Sequence, residues 1–204
     1  MKRIIAVLIL LTLNFYSFSQ NVDIDLLKSI NLNRNKSYDP TFRLITNSVT
    51  PFTIAFPVGF IAIAIIKKDS VSKSNVILVC STLLIEGVVS GSLKYGVNRP
   101  RPFTTYPFIE KATSGGSPSF PSGHTSSAFA LATSVSIACP KWYVITPSFL
   151  WASAVGYSRM DLGVHYPSDV LAGAIVGSGS AYLAYKINGW LTGKILKRSR
   201  YAPH

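Results

Sequence analysis

The sequence predicts an all-α fold, a polytopic membrane bundle of five or six helices with its functional site at the outer membrane face. Three observations lead there. Mean hydropathy is +0.33. Only 14% of the residues are charged, against roughly 25% in a typical soluble domain. Apolar runs close to the length of a bilayer-crossing helix recur along the chain, divided by charge or by Pro and Gly. At 204 residues the chain holds one domain with a full core.

The elements follow in order. Residues 1–20 read as a signal peptide or an N-terminal anchor: Lys2-Arg3, an apolar core over 4–13, then Ser17-Phe18-Ser19 at signal-peptidase spacing. Residues 21–47 are mixed, with Ile24, Leu27, Ile30 and Leu32 at loosely helical spacing. They fit an amphipathic periplasmic segment at the membrane interface or a packed surface helix equally well. Residues 48–190 form the membrane domain, with spans near 48–66, 76–93, 123–139, 142–157 and 169–187. The last run is rich in small residues (Ala172, Gly173, Ala174, Gly177, Gly179), as where membrane helices approach closely. Residues 191–204 are a basic tail placed in the cytoplasm. Cys80 and Cys139 lie inside apolar runs and are expected as small core residues without a disulfide.

Charge sets orientation and partners. The net charge of +12 reflects twenty basic residues against eight acidic ones. It suits an anionic membrane surface or a phosphorylated substrate; low charge density and high apolar content argue against nucleic acid. With the N-terminal segment outside, Lys67-Lys68, Lys73, Lys141 and the tail fall inside, as the positive-inside rule requires. This places a multi-pass protein in a bacterial inner membrane, with 94–122 and 158–168 facing the periplasm.

The residues that break the rule carry the chemistry. Lys94, Arg101, His124, Arg159, His165 and Asp169 are scattered in sequence, yet this topology gathers them at one face. Two guanidinium groups and an ammonium at one spot suit a dianionic phosphate. Ser122 stands as the N-cap of the third span, so that the backbone N–H groups of Gly123 and His124 point at an anion. Pro167 opens the fifth span and puts Asp169 in its first turn. His165 and Asp169, four apart, meet if the helix begins between them. The carboxylate then fixes the ring tautomer and makes His165 a nucleophile toward phosphorus. His124 is the matching general acid, and it activates water in the second step. Lys94, Arg101 and Arg159 stabilise the transition-state charge, so the scheme needs neither a metal nor another cofactor.

These residues resemble three motifs of the type-2 phosphatidic acid phosphatase superfamily: Lys94 with Arg101-Pro102, Pro121-Ser122-Gly123-His124, and Ser158-Arg159 with His165 and Asp169. The resemblance implies a metal-independent phosphatase with six helices. In it Lys94, Arg101, Ser122, Gly123 and Arg159 hold the phosphate, while His124, His165 and Asp169 are catalytic. The expected partners are a phosphorylated lipid and the bilayer. Rival readings are a soluble periplasmic acid phosphatase with the same motifs, a vanadate-dependent halide oxidase, and a lipid-binding or lipid-translocating membrane protein without turnover. The apolar runs argue against the first two, and the complete catalytic set against the third.

Three features outside the motifs carry weaker expectations. Glu86, inside the second span, is expected either to steer the Lys94 end of the helix or pair with a basic group, or to bond a neighbouring hydroxyl such as Ser90 or Ser81. Arg99 is expected to meet lipid headgroups or a second phosphate. Phe103, Tyr106 and Phe108 suit an aromatic belt, and Gly115-Gly116-Ser117-Pro118 a flexible turn.

Overall fold

A computed structural model describes residues 22–200, with side chains as far as Trp190. The expected N-terminal signal or anchor, residues 1–20, lies outside the described residues. Helix α1 spans 22–32. A 3-10 turn, Lys36–Tyr38, leads into α2, Asp39–Asn47, and α3, Val49–Lys67. Then come α4, Ser70–Val97, the short α5, Pro102–Thr105, and α6, Gly123–Ala138. Helix α7, Trp142–Asp161, and α8, Pro167–Arg200, complete the chain. All the described regular structure is helical.

Local signals account for the boundaries. Asp69 caps α4 by accepting from the Ser72 amide at 2.7 Å. Lys68 and Asn98 take left-handed conformations that close α3 and α4. Pro102 and Pro167 open α5 and α8, where a missing amide hydrogen costs nothing. Helix α8 runs well past its expected end because no proline stops it before Arg200.

Helix α6 is the centre of the bundle, packed on α8, α7 and α4. Its buried face is Thr125, Ser126, Ala128, Ala130, Leu131, Ala132, Ser134 and Val135. Small side chains bring the backbones close: a Cβ on Gly177 of α8 would run into the Ser126 carbonyl of α6. The outer helices show the opposite pattern. Ile54, Phe56, Val58, Ile61, Ile63, Ile65 and Ile66 all point outward from α3. In water so large an apolar surface would drive association; in a bilayer it faces lipid. Three described helical stretches are long and apolar enough to cross a membrane: Lys36–Lys67, Ser70–Thr105 and Pro167–Trp190. Helices α6 and α7 stand where spans were expected but do not meet that joint criterion of length and hydropathy; α6, at 16 residues, is too short for it. The chain is a multi-pass membrane protein.

Helix α1 folds back onto the bundle. Leu27 and Ile24 join Ile109 and Tyr166 in a small core, with Phe103, Tyr106 and Met160 against it. Phe103 and Tyr106 thus face protein, and only Phe108 of the three loop aromatics is exposed. Asn31, fully buried, donates to the carbonyls of Glu110 and Asp161 and accepts from the Glu110 amide. Arg34 and Lys36 pair with the Glu110 carboxylate, and Arg43 holds the Ala112 carbonyl. The long loop between α5 and α6 is therefore strapped down along its length. Gly163, at φ 72°, makes the turn beneath it, where any side chain would strike the Glu110 carbonyl. Cys80 and Cys139 are free and half-buried.

Candidate active site

Five helix ends converge. Lys94 is in the last turn of α4 and Arg101 immediately precedes α5. Gly123 and His124 open α6, Arg159 is in the last turn of α7, and Asp169 is in the first turn of α8. The bundle thus delivers every sequence-predicted site residue to one end. Lys94, Arg101, Arg159 and His124 are close enough for each cationic charge to act on the others.

His165 sits in the turn before α8 with its ring 1% exposed. Its Nδ1 is 3.5 Å from Oδ2 of Asp169, just beyond hydrogen-bond length, and has no hydrogen-bond partner among the described residues. On the opposite edge, Nη1 of Arg101 is 3.3 Å from Nε2. A guanidinium only donates, so Nε2 is assigned as the acceptor and the ring proton belongs on Nδ1, facing Asp169. Burial lowers the His165 pKa below the ordinary imidazole value; Asp169 pulls it up, and Arg101 and Arg159 push it down. Burial prevails, and the ring is neutral at neutral pH.

The cations are held by backbone carbonyls. Lys94 Nζ donates to Pro118 O and Pro121 O at 2.9 and 3.1 Å. Arg101 donates to Ser117 O and Val164 O at 2.7 and 2.8 Å. Arg159, 2% exposed, donates to Thr46 Oγ1 and Ser114 O, and its buried Nε lacks a partner among the described residues. Such a donor calls for an acceptor. The three cations have no carboxylate bonded to them among these contacts, so their charge remains for an anion.

Ser122 occupies the N-cap position of α6, but its side chain does not cap the helix. Its hydroxyl accepts from Thr125 Oγ1 at 2.8 Å, and its amide donates to Asp169 O at 3.0 Å. That amide ties the second motif to the third. Beside Gly123 an added Cβ would meet nothing within 4 Å. The open space lies at a helix N-terminus, where amide hydrogens favour an anion.

The motifs leave out the residues that hold Asp169. Ser119, fully buried, donates to Oδ2 at 2.5 Å, and the Tyr166 amide donates to the same oxygen at 3.0 Å. Arg99 donates to Oδ1 at 2.7 Å and stacks on the Tyr166 ring, 3.8 Å from its centroid. It also donates to Asp23 of α1 at 2.7 Å. Arg99 thus turns inward to two carboxylates instead of outward to headgroups, because burial beside Asp169 and Asp23 leaves its charge partnered there. Its place in the Arg99-Pro100-Arg101-Pro102 run was the available signal. Glu86, 5% exposed, accepts from Ser127 of α6 at 3.1 Å rather than from the expected serines of its own helix.

The three motifs, the bundle and the family model agree: residues 75–192 match the PAP2 superfamily, and the chain belongs to that family. It is similar to the lipid A 4'-phosphatase of Bacteroides thetaiotaomicron, 35% identical over 98 residues, covering 48% of this chain and 44% of that one. It is also similar to the undecaprenyl-diphosphatase of Sulfolobus acidocaldarius, 35% identical over 130 residues, covering 61% and 59%. The matches therefore span about half the length of these curated relatives. The fold resembles the crystal structure of Aquifex aeolicus LpxE, with a TM-score of 0.70 and 30% identity over 81% of this chain and 95% of that one.

Proposed function

We propose that this protein is a metal-independent lipid phosphate or diphosphate phosphatase that acts through a phosphohistidine. The observation that carries the proposal is His165, buried between Asp169 and Arg101 at the helix end where three cations converge. The Nε2 lone pair attacks phosphorus as the Arg101 hydrogen bond yields to the substrate. An N–P bond forms, and the bond from phosphorus to the leaving oxygen breaks. The electron pair departs on that oxygen, which takes a proton from His124, protonated once the phosphate dianion sits against it. Water then gives a proton to His124 and attacks phosphorus; the N–P bond breaks and its electrons return to Nε2. Lys94, Arg101, Arg159 and the amides at Gly123 and His124 hold the phosphoryl oxygens, with Ser122 setting the start of α6. Asp169 stabilises the ring as its charge develops.

The lipid class draws support from the outward apolar surface of α3 and from relatives named for lipid A and undecaprenyl diphosphate. Lys67, Lys73 and Lys141 cluster at the helix ends opposite the site. By the positive-inside rule the site then faces the periplasm of an inner membrane. In domain terms, residues 1–20 are the signal or anchor, 21–47 a periplasmic segment, 48–190 the phosphatase domain and 191–204 a cytoplasmic tail.

The test is phosphate release in detergent micelles from phosphatidate, phosphatidylglycerophosphate, a polyprenyl diphosphate and lipid A, with and without chelator. Release from at least one lipid, unchanged by chelator and abolished in His165→Ala, is expected. Chelator-sensitive release, or full activity in His165→Ala, contradicts the mechanism.

A further inference from the structure

Asp23 is the feature that neither the motifs nor the proposed chemistry absorbs. It lies on α1, ahead of the first span, yet its carboxylate is 6% exposed. Oδ1 accepts from the Ser168 amide at 2.8 Å. Oδ2 accepts from Ser168 Oγ at 2.5 Å and from Arg99 Nη2 at 2.7 Å. Ser168 is the second residue of α8, so Asp23 satisfies an otherwise orphaned amide at the N-terminus of the helix that carries Asp169. Arg99 bridges the two carboxylates and bonds Ser168 as well.

We infer that Asp23 and Arg99 are positioning residues for the His165–Asp169 pair, so that the segment before the first span sets the geometry of the site. The inference rests on the phosphatase reading above. Asp23 does not touch the ring; it acts by sharing Arg99 with Asp169 and by fixing the start of α8. The other charged or titratable groups facing the pair are Lys94 and Arg101 from the α4–α5 segment, His124 at the start of α6, Arg159 of α7 and Tyr166 of the turn before α8. These stay constant when Asp23 or Arg99 is changed.

The arrangement gives the two residues opposite electrostatic effects. Without Asp23, Arg99 gives its charge to Asp169 alone, and Asp169 holds a proton on His165 less well. Without Arg99, Asp169 acts on the ring unopposed, and His165 becomes more basic. Asparagine at position 23 keeps an acceptor for the Ser168 amide, so Asp23→Asn removes only the charge shared through Arg99, and that loss has little left to change once Arg99 is gone.

The experiment measures kcat and KM against pH for the intact protein in micelles, using the fastest substrate of the four lipids above. The variants are Asp23→Asn, Arg99→Gln and the double substitution, with Arg99→Lys as a milder probe should Arg99→Gln not fold. Each single substitution is expected to lower kcat about tenfold with KM little changed. The acid limb should move up about half a pH unit in Arg99→Gln and down by a similar amount in Asp23→Asn. The double variant should match Arg99→Gln. Shifts of the same sign, an unmoved profile, or an additive double variant overturn the inference while leaving the phosphatase reading intact. Full activity of His165→Ala in the same assay defeats both.

Discussion

Asp169 Oδ2 stands 3.5 Å from Nδ1 of His165, whereas Oδ1 of the same carboxylate is bonded to Arg99 at 2.7 Å. The carboxylate is thus held in place by Arg99, Ser119 and the Tyr166 amide before any charge develops on the ring. Closing the small gap to His165 as the imidazole takes on charge strengthens the contact in the transition state, where it accelerates the reaction. Asp169→Asn keeps the shape but offers an amide where the ring proton needs a carboxylate. A fall in kcat of roughly 10³–10⁴-fold is expected, with the fold retained. Steady-state kinetics with a thermal melt of the purified variant checks both halves.

Gly123 separates binding from folding. Space beside it is open, so Gly123→Ala meets no steric obstacle in the empty protein. Alanine is also the better helix former, by up to about 1 kcal/mol. The substitution should leave the melting temperature equal or higher while cutting phosphate release at least about tenfold, since the methyl group occupies the anion's place at the helix N-terminus. Release at the wild-type rate would remove Gly123 from the site.

The buried ring predicts a pH signature. His165 has a folded-state pKa below the ordinary imidazole value of about 6.5. As pH falls through that value the unfolded chain takes up the proton first, while the folded ring stays neutral. Its contribution to stability is therefore complete above about pH 6.5 and is lost progressively as pH falls toward the folded value. Melting temperatures in detergent should fall over this range less steeply for His165→Gln than for wild type. The neutral nucleophile also survives into mild acid, so the acid limb of activity should lie below pH 6.5.

Arg159 should not tolerate lysine. Its guanidinium reaches Thr46 and Ser114 in separate directions and keeps Nε for another acceptor. A lysine ammonium reproduces neither the fork nor the third direction. Arg159→Lys is expected to lower kcat/KM by roughly 10–100-fold, whereas Glu86→Gln, which keeps an acceptor for Ser127, should change it less than about twofold.

The bundle and the motif residues were legible for a shared reason. Span-length apolar runs announce helices, and alternation of the spans fixes which ends meet; Lys94, His124, Arg159 and Asp169 all lie near such ends. Local rules also located Pro167 at the start of α8 and Ser122 at the N-cap of α6. Partnerships between distant elements were not legible. Asp23 and Ser168 are 145 residues apart, and no periodicity in α1 says which helix it will cap. Ser119 lies in a stretch of Gly, Ser and Pro that reads only as a turn. For Glu86, helical spacing offers only near neighbours on its own helix or an unspecified basic group; the bundle supplies Ser127 of α6 instead. The Ser122 hydroxyl likewise went to Thr125 rather than to the helix amides, which are left for an anion.

The covalent step is the central claim, and trapping it is the most direct test. Substrate labelled in the transferred phosphoryl group is mixed with the protein, quenched within milliseconds in alkali, and the protein is digested and sequenced by mass. Label on His165 is predicted, stable in alkali, lost in mild acid, and absent from His165→Ala. Label on another residue, or turnover with no trapped phosphoprotein at any time, would contradict it.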